Sequence, residues 1–194
     1  MIKIENRFFF ILAFLMALIV ALSNYLVQFP IKYLNLQDLF TYGAFSYPVA
    51  FLITDLANRS YGKIIARKIV YIGFVLGLVL TLYFSTDFSN LISKRIATGS
   101  GIAFLTAQLL DVQVFDKLRK KVWYVAPLVS SLIGSLIDTF LFFSIAFYGT
   151  GVNWIMLSIG DLLVKVFIAL LMLIPFRLLI SSLNENETIK KINV

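Results

Sequence analysis

Six long apolar stretches, separated by short polar connections, follow one another along the chain. A helix that crosses a lipid bilayer needs about 20 mostly apolar residues, and each stretch is close to that length or longer. The stretches cover residues 8–29, 40–58, 69–87, 96–115, 122–148 and 154–180. The pattern predicts an all-α polytopic membrane protein in which residues 1–194 form one domain, a bundle of six transmembrane helices. The polar stretch from Ser181 onward predicts a short frayed tail.

The first apolar stretch also has features of a secretory signal peptide. Lys3 and Arg7 give it a basic start, and Ala21-Leu22-Ser23 is a weak cleavage site. Its apolar run of about 22 residues exceeds the roughly 7–15 of a signal peptide. We therefore predict a helix that is not cleaved.

Four aspartates interrupt these apolar stretches. They are Asp55, Asp111, Asp138 and Asp161. An aspartate at the centre of a spanning helix costs about 2.5–3.5 kcal/mol on insertion scales, so such residues usually face the bundle interior or a wet cavity. Polar residues stand near them at helical spacing, namely Asn58, Gln108 and Lys165. One interior polar cavity, reached from four helices, would account for all of them.

Simpler explanations exist for single members of this set. Asp161 and Lys165 are one helical turn apart, so they can neutralise each other without any role in binding. Asp55 can pair locally with Arg59 or Lys63. The small residues Ser130, Ser131, Gly134 and Ser135 can serve close packing between helices.

Composition excludes much of enzyme chemistry. Hydrophobic residues make up 60% of the chain and charged residues 14%, against about 25% charged in soluble domains. Without Cys or His, the chain lacks thiolate nucleophiles, imidazole bases and the usual zinc ligands. The string SIGDLL resembles the GxGD motif of intramembrane aspartyl proteases, but Ser158 replaces its first glycine and a PAL motif is absent. We predict no catalytic residue, no metal site and no cofactor.

The net charge of +7 follows from the positions of the basic residues. With both termini in the cytoplasm, thirteen Lys and Arg lie on the cytoplasmic side and three on the other, with Lys165 inside the membrane. This bias is typical of membrane proteins and needs no nucleic acid partner. Lys94 and Arg95 are the pair that breaks the pattern.

Aromatic residues near the ends of the stretches are expected at the membrane–water interface. They are Tyr42, Tyr47, Trp123, Tyr124 and Trp154. An alternative is that one or two of them stack on a planar ligand.

Four strings resemble the queuosine-precursor transporter family, which is vitamin-uptake-transporter-like. They are FTYGAFSYPVAFL (40–52), TDLANRSYGK (54–63), LLDVQVFDKLRKKVWYVAPLVSSLIGSLIDT (109–139) and DLLVKV (161–166). The resemblance covers most of the chain from about Phe40 to Phe176. It implies six helices, an architecture related to the substrate-binding subunits of energy-coupling-factor transporters, and import of queuosine precursors across the bacterial inner membrane.

The substrate implied by the resemblance is 7-cyano- or 7-aminomethyl-7-deazaguanine. A carboxylate can accept two parallel hydrogen bonds from the N–H/NH₂ edge of such a base. We expect this edge to contact Asp138 or Asp111, assisted by Gln108. Asp161 with Lys165 is expected to shape the deeper cavity, and Asn58 with Asp55 to form a cytoplasmic contact or gate.

The sequence leaves energy coupling open between facilitated transport, proton coupling and an energising partner. It also leaves open the choice of precursor and whether the chain forms a homo-oligomer. Other readings are a substrate-binding subunit for another vitamin-like solute, a non-transporting membrane scaffold and an intramembrane enzyme.

Overall fold

A computed structural model of the chain describes residues 2–31, 41–84 and 89–192, with side chains for 7–31, 41–84 and 89–182. Its helices are α1 (Ile2–Leu26), α2 (Gly43–Tyr61), α3 (Lys63–Phe84), α4 (Leu91–Leu118), α5 (Val125–Phe147) and α6 (Trp154–Ile192). Within the described ranges the only β pairing is an isolated bridge between Pro30 and Thr41. The all-α prediction is therefore confirmed.

Several predicted boundaries differ from the observed helix ends. The third helix begins at Lys63 rather than residue 69, and the fourth at Leu91 rather than residue 96. The sixth continues to Ile192, so the expectation of a frayed tail is wrong. Hydropathy marks only the part of a helix that lies in hydrocarbon, whereas the helix itself continues where water and headgroups solvate its polar residues. The predicted limits at Phe40 and Asp87, and Lys32 of the charge count, lie outside the described residues.

Among the described residues, four helices are long and apolar enough to cross a membrane. They are Arg7–Leu26, Lys63–Phe84, Val125–Phe147 and Trp154–Ser182. The other two, α2 and α4, carry buried polar residues that lower their hydropathy, among them Asp55 and Asn58 on α2 and Gln108 and Asp111 on α4. The structure thus defines a polytopic helical membrane protein with two more polar helices.

Helix α2 lies at the centre of the bundle and contacts each of the other five helices. Its buried positions run along nearly the whole helix, including Ala44, Phe51 and Ala57. Helix α6 shows the opposite pattern, because its apolar outer face, with Leu163, Phe167 and others, is more than half exposed. Such a surface is suited to contact with lipid. The polar residues of α2 are therefore held away from lipid by its neighbours.

Small residues allow the helices to approach closely. A Cβ added at Gly77 of α3 would lie 2.7 Å from Val20 Cβ and 3.1 Å from the Ala17 carbonyl oxygen of α1. A Cβ at Gly134 of α5 would lie 2.5 Å from the Phe51 ring of α2. The distances of 2.7 and 2.5 Å are shorter than real Cβ contacts, so glycine permits the close approach of these two helix pairs.

Arg95, one of the two basic residues that break the charge pattern, has a structural role. Its guanidinium donates to the carbonyl oxygens of Ile145 (3.0 Å) and Tyr148 (2.7 Å) at the C-terminal end of α5. A cation at this position satisfies free carbonyls and complements the negative end of the helix dipole. Its location therefore does not argue against the predicted orientation.

We predict that Gly77→Ala lowers the free energy of unfolding by about 1–3 kcal/mol, because the added methyl overpacks the contact with Val20. The matched control is Gly101→Ala, whose Cβ would be 3.7 Å from Phe74 and would change stability by less than about 1 kcal/mol. Unfolding in mixed micelles, followed by circular dichroism, measures both. Equal losses in the two variants would contradict the close α1–α3 contact.

Candidate functional site

The most polar part of the bundle interior is a charge cluster between α5 and α6. Lys165 Nζ lies 2.8 Å from Asp138 Oδ2 and 2.6 Å from Asp161 Oδ2. The hydroxyl of Thr139 donates to Asp161 (2.7 Å) and accepts from Lys165 (3.1 Å). All four residues are buried. The ion pair predicted within α6 is confirmed, but Lys165 is shared with Asp138, so the cluster carries a formal charge of −1 when all three groups are ionised.

Helix α2 covers this cluster with Tyr47. The Lys165 ammonium lies 5.0 Å from the centroid of the Tyr47 ring, a cation–π distance. Tyr47 is only 7% exposed, so its expected place at the membrane interface is wrong. It lies one turn into α2, where neighbouring helices enclose it. One oxygen of Asp138, Oδ1, has no hydrogen-bond partner among the described residues.

Tyr47 also belongs to a hydrogen-bonded network that the sequence analysis missed. Its hydroxyl contacts Asn24 Oδ1 (3.2 Å) and Ser100 Oγ (2.8 Å), and Ser100 donates to Asn24. Asn24 Nδ2 donates to Thr81 Oγ1 (3.0 Å). The network joins α1, α2, α3 and α4. The sequence signal that could have revealed this network is Asn24, a polar residue within the first apolar stretch.

A second acidic cluster lies between α2, α4 and α5. Asp55 accepts hydrogen bonds from Ser130 and Ser131, both at 3.2 Å. The local ion pair considered for Asp55 is wrong, because Arg59 donates to the Arg119 carbonyl oxygen and Lys63 pairs with Asp116 at 4.0 Å. The serines therefore do more than allow close packing, since their hydroxyls stabilise a buried carboxylate.

Asp111 and Gln108 are buried with unused hydrogen-bonding atoms. Asp111 is fully buried, and neither of its carboxylate oxygens meets a donor among the described side chains. Ser130 is near both aspartates, and its hydroxyl lies within hydrogen-bonding distance of Asp55 Oδ1 (3.2 Å) and of the Pro127 carbonyl oxygen (3.4 Å). Gln108 Oε1 accepts from Thr54, while Gln108 Nε2 has no partner in the described part of the chain. Buried polar atoms usually take part in hydrogen bonds, so these atoms are available to bind a polar ligand.

Asn58 makes its hydrogen bonds to groups other than the carboxylate of Asp55. Its Nδ2 donates to the Val112 carbonyl oxygen (2.9 Å), and its Oδ1 accepts from Arg119 Nη2 (3.2 Å). Asn58 therefore ties α2 to α4 and to the basic end of the bundle. Its expected role at a gate stays a prediction.

Two cavities lie along the interface of α2, α5 and α6. The inner cavity has a volume of about 10 Å³, and Asp55, Ser131, Ser135 and Phe176 are among its lining residues. That volume is close to the minimum for one water molecule. The outer cavity, of about 200 Å³, is lined by Arg59, Trp123, Phe176, Arg177, Ile180 and Ser181. The polar residues are divided between two packed clusters, so the structure does not bring them together around the single polar cavity that we expected.

The donor set offers little to a metal ion. No group of three or more acidic residues comes together in the described ranges. The charged cluster already contains an ammonium that neutralises one of its two carboxylates. The arrangement suits a ligand that brings N–H donors and one hydrogen-bond acceptor.

A polytopic helical bundle with buried charges and cavities between its helices has the construction of a membrane transport protein. Residues 41–180 match the family described as "Putative vitamin uptake transporter". The "Queuosine precursor transporter" of Escherichia coli K12 is 36% identical over 177 residues, covering 81% of this chain and 79% of the relative. The "Probable queuosine precursor transporter" of Haemophilus influenzae is 37% identical over 193 residues, covering 84% and 82%. That of Bacillus subtilis is 31% identical over 156 residues, covering 69% and 68%.

The chain therefore belongs to the vitamin uptake transporter family, together with these relatives. No solved structure matches it significantly. The family resemblance read from the sequence strings is confirmed.

We predict that Lys165→Met lowers the free energy of unfolding by about 3–5 kcal/mol, because two buried carboxylates lose their only cation among the described residues. Adding Asp161→Asn to this variant is expected to restore part of the loss. The control is Lys63→Met, which removes a half-exposed pair and costs less than about 1 kcal/mol. The same unfolding titration measures all three, and similar losses for Lys165→Met and Lys63→Met would contradict the assignment.

Proposed function

We propose that this protein imports 7-deazaguanine precursors of queuosine across the bacterial inner membrane. The proposal is supported by the names of two relatives, which are described as queuosine precursor transporters. The similarity to them covers most of both chains. The observation that carries it for this chain is the set of buried, unpartnered polar atoms on α4 and α5. The single-domain protein acts as a six-span carrier, in which the more polar α2 and α4 are interior spans.

The unpartnered atoms of α4 complement the hydrogen-bonding edge of a guanine-like base. Such a base presents two N–H donors, from the ring and from the 2-amino group, beside one carbonyl acceptor. In the described part of the chain, Asp111 offers two carboxylate oxygens without donors, and Gln108, one helical turn away, offers an N–H without an acceptor. The carboxylate accepts both N–H groups in a two-point contact, and the amide donates to the carbonyl.

The free atoms of α5 supply a second contact. Asp138 Oδ1 and Ser135 Oγ have no partner within the described residues, and they are three positions apart on one helix face. The adjoining cluster has two carboxylates for one ammonium. That imbalance favours a positively charged substituent, so it supports 7-aminomethyl-7-deazaguanine over the neutral cyano form. Asp161 and Lys165 hold Asp138 in place, and Asp55 and Asn58 lie toward the basic end of the bundle.

The conformation described is closed to substrate. The inner cavity of about 10 Å³ admits at most one water, so binding requires α2, α5 and α6 to separate. A carrier that exposes its site to one side at a time passes through such a closed state. We infer that both termini lie in the cytoplasm, in line with the excess of Lys and Arg on that side.

A second candidate is a binding subunit that needs an energising partner, in keeping with the proposed relation to energy-coupling-factor subunits. The polar and basic surface at one end of the bundle, with Lys117 in the last turn of α4 and Lys120 and Lys121 between α4 and α5, is a place for such a partner. Catalysis is not part of the proposal, since the buried carboxylates are engaged in binding and packing. The lipid bilayer and a small molecule are the partners it requires.

The proposal predicts saturable uptake of labelled 7-aminomethyl-7-deazaguanine into liposomes that contain only this chain. Asp111→Asn is expected to reduce uptake at least about tenfold, the equivalent of one charge-assisted hydrogen bond. The matched control is Asp116→Asn, which changes a partly exposed carboxylate on the same helix and is expected to leave uptake near wild type.

Three other outcomes separate the alternatives. Binding by the wild type without uptake would favour the energising partner. If the wild type neither binds nor takes up the compound, the substrate assignment is contradicted. Equal uptake by the wild type and Asp111→Asn would indicate that the base binds in another part of the bundle.

A further inference from the structure

Phe176 lies between the two cavities of the α2–α5–α6 interface. It is the residue shared by the lining of the inner cavity, which contains Asp55, and of the outer cavity, which contains Arg59. Asp55 and Arg59 are one turn apart on α2, so the two cavities follow one another along the same helix face. Phe176 is 3% exposed. Its side chain is therefore packed at the boundary between the two cavities.

The contacts of Phe176 hold it in this closing position. Its ring centroid lies 6.3 Å from that of Phe115 on α4 in an edge-to-face arrangement. Leu56 of α2 and Ala126 of α5 complete the same buried cluster. One aromatic side chain thus closes the junction of four helices.

The residue before Phe176 is a proline inside a helix. Pro175 has no N–H to donate to the carbonyl one turn earlier, so the hydrogen-bond ladder of α6 is broken next to Phe176. Helices bend at such positions. The end of α6 that follows Pro175 can therefore move relative to the part that carries Asp161 and Lys165.

The residue after Phe176 binds this end of α6 to the segment before α5. The Arg177 guanidinium lies 4.7 Å from the centroid of the Trp123 ring. Among the described residues, this cation–π contact is the only charged or aromatic interaction between Arg177 and another element. It is formed in the outer cavity, whose volume of about 200 Å³ accommodates a small molecule.

The chemistry of the outer cavity suits a planar heterocycle. Trp123 offers an indole face, and Arg59 and Arg177 offer guanidinium planes, both of which stack on aromatic rings. The indole face is already occupied by Arg177. A planar ring that takes its place releases Arg177 and with it the neighbouring Phe176.

We propose that the cavity of Arg59, Trp123 and Arg177 is a vestibule that binds planar heterocycles, and that Phe176 separates it from the inner cavity, which Ser135 lines. The Arg177–Trp123 contact keeps Phe176 closed, and Pro175 is the hinge. The role that we assign to the vestibule and to Phe176 rests on the proposed transport function. The closure itself is a physical property that can be measured without substrate.

The absence of native cysteine gives a direct test. Ser135→Cys places one thiol in the inner cavity of the full-length chain in lipid nanodiscs, and a charged methanethiosulfonate reagent reports its accessibility. We expect Phe176→Ala to raise the labelling rate at least about tenfold, since a closed state of this kind opens in only about 0.1–10% of molecules. Arg177→Gln is expected to give a smaller increase, and Arg177→Lys, which keeps the cation, a smaller one still.

Matched variants separate gating from general loosening. Phe142→Ala removes a buried aromatic residue that lines neither cavity, and it is expected to leave the labelling of Ser135→Cys unchanged. Ser181→Cys lies in the vestibule, so its labelling is expected to be fast with or without Phe176. Phe176→Leu, which keeps a buried apolar side chain, provides the test if the alanine variant does not fold.

An unchanged rate in Phe176→Ala or Phe176→Leu, or an equal increase in Phe142→Ala, would overturn the proposal. The labelling experiment contains no deazaguanine, so its result does not depend on transport. Failure of the gating proposal can therefore be distinguished from failure of the transport proposal. Slower labelling of Ser181→Cys in the presence of a planar deazapurine would support the vestibule, and no protection at any concentration would contradict it.

Discussion

A lysine buried inside a lipid-facing bundle constrains the rest of this structure. Lys165 lies on α6, a helix whose outer face is exposed and apolar, and it is stabilised by Asp161 of the same helix and Asp138 of α5. An unpaired charge at this depth would be costly. The requirement fixes the register of α5 against α6, places Tyr47 of α2 over the ammonium, and so positions the central helix.

Within the described residues the second acidic cluster contains no cation, and this difference separates a structural role from a binding role. Asp55 accepts hydrogen bonds from two serine hydroxyls, whereas Asp111 has no donor and Gln108 has an unused N–H among the described side chains. A buried network that is complete adds rigidity, while an incomplete one is a site where another group can bind. We therefore infer that the Lys165 cluster mainly organises the bundle and that Asp111 and Gln108 mainly recognise the substrate.

Local features of the chain were predictable from sequence, and relations between distant helices were not. The Asp161–Lys165 pair follows from helix geometry alone, and the six helices follow from hydropathy. The sharing of Lys165 with Asp138 depends on the register between α5 and α6, which no local pattern encodes. Phe176 is one of 19 phenylalanines, so its place between two cavities becomes visible only in three dimensions.

The central claim is that the unpartnered atoms of Asp111 receive the two N–H donors of a guanine-like base. Calorimetric binding of 7-deazaguanine and of 7-deazahypoxanthine, which lacks the 2-amino group, to the purified full-length chain tests it most directly. The account predicts that the wild type binds 7-deazahypoxanthine at least about tenfold more weakly, for the loss of one hydrogen bond to a carboxylate. It also predicts that Asp111→Asn narrows this difference. Equal affinity of the wild type for both bases would contradict the account.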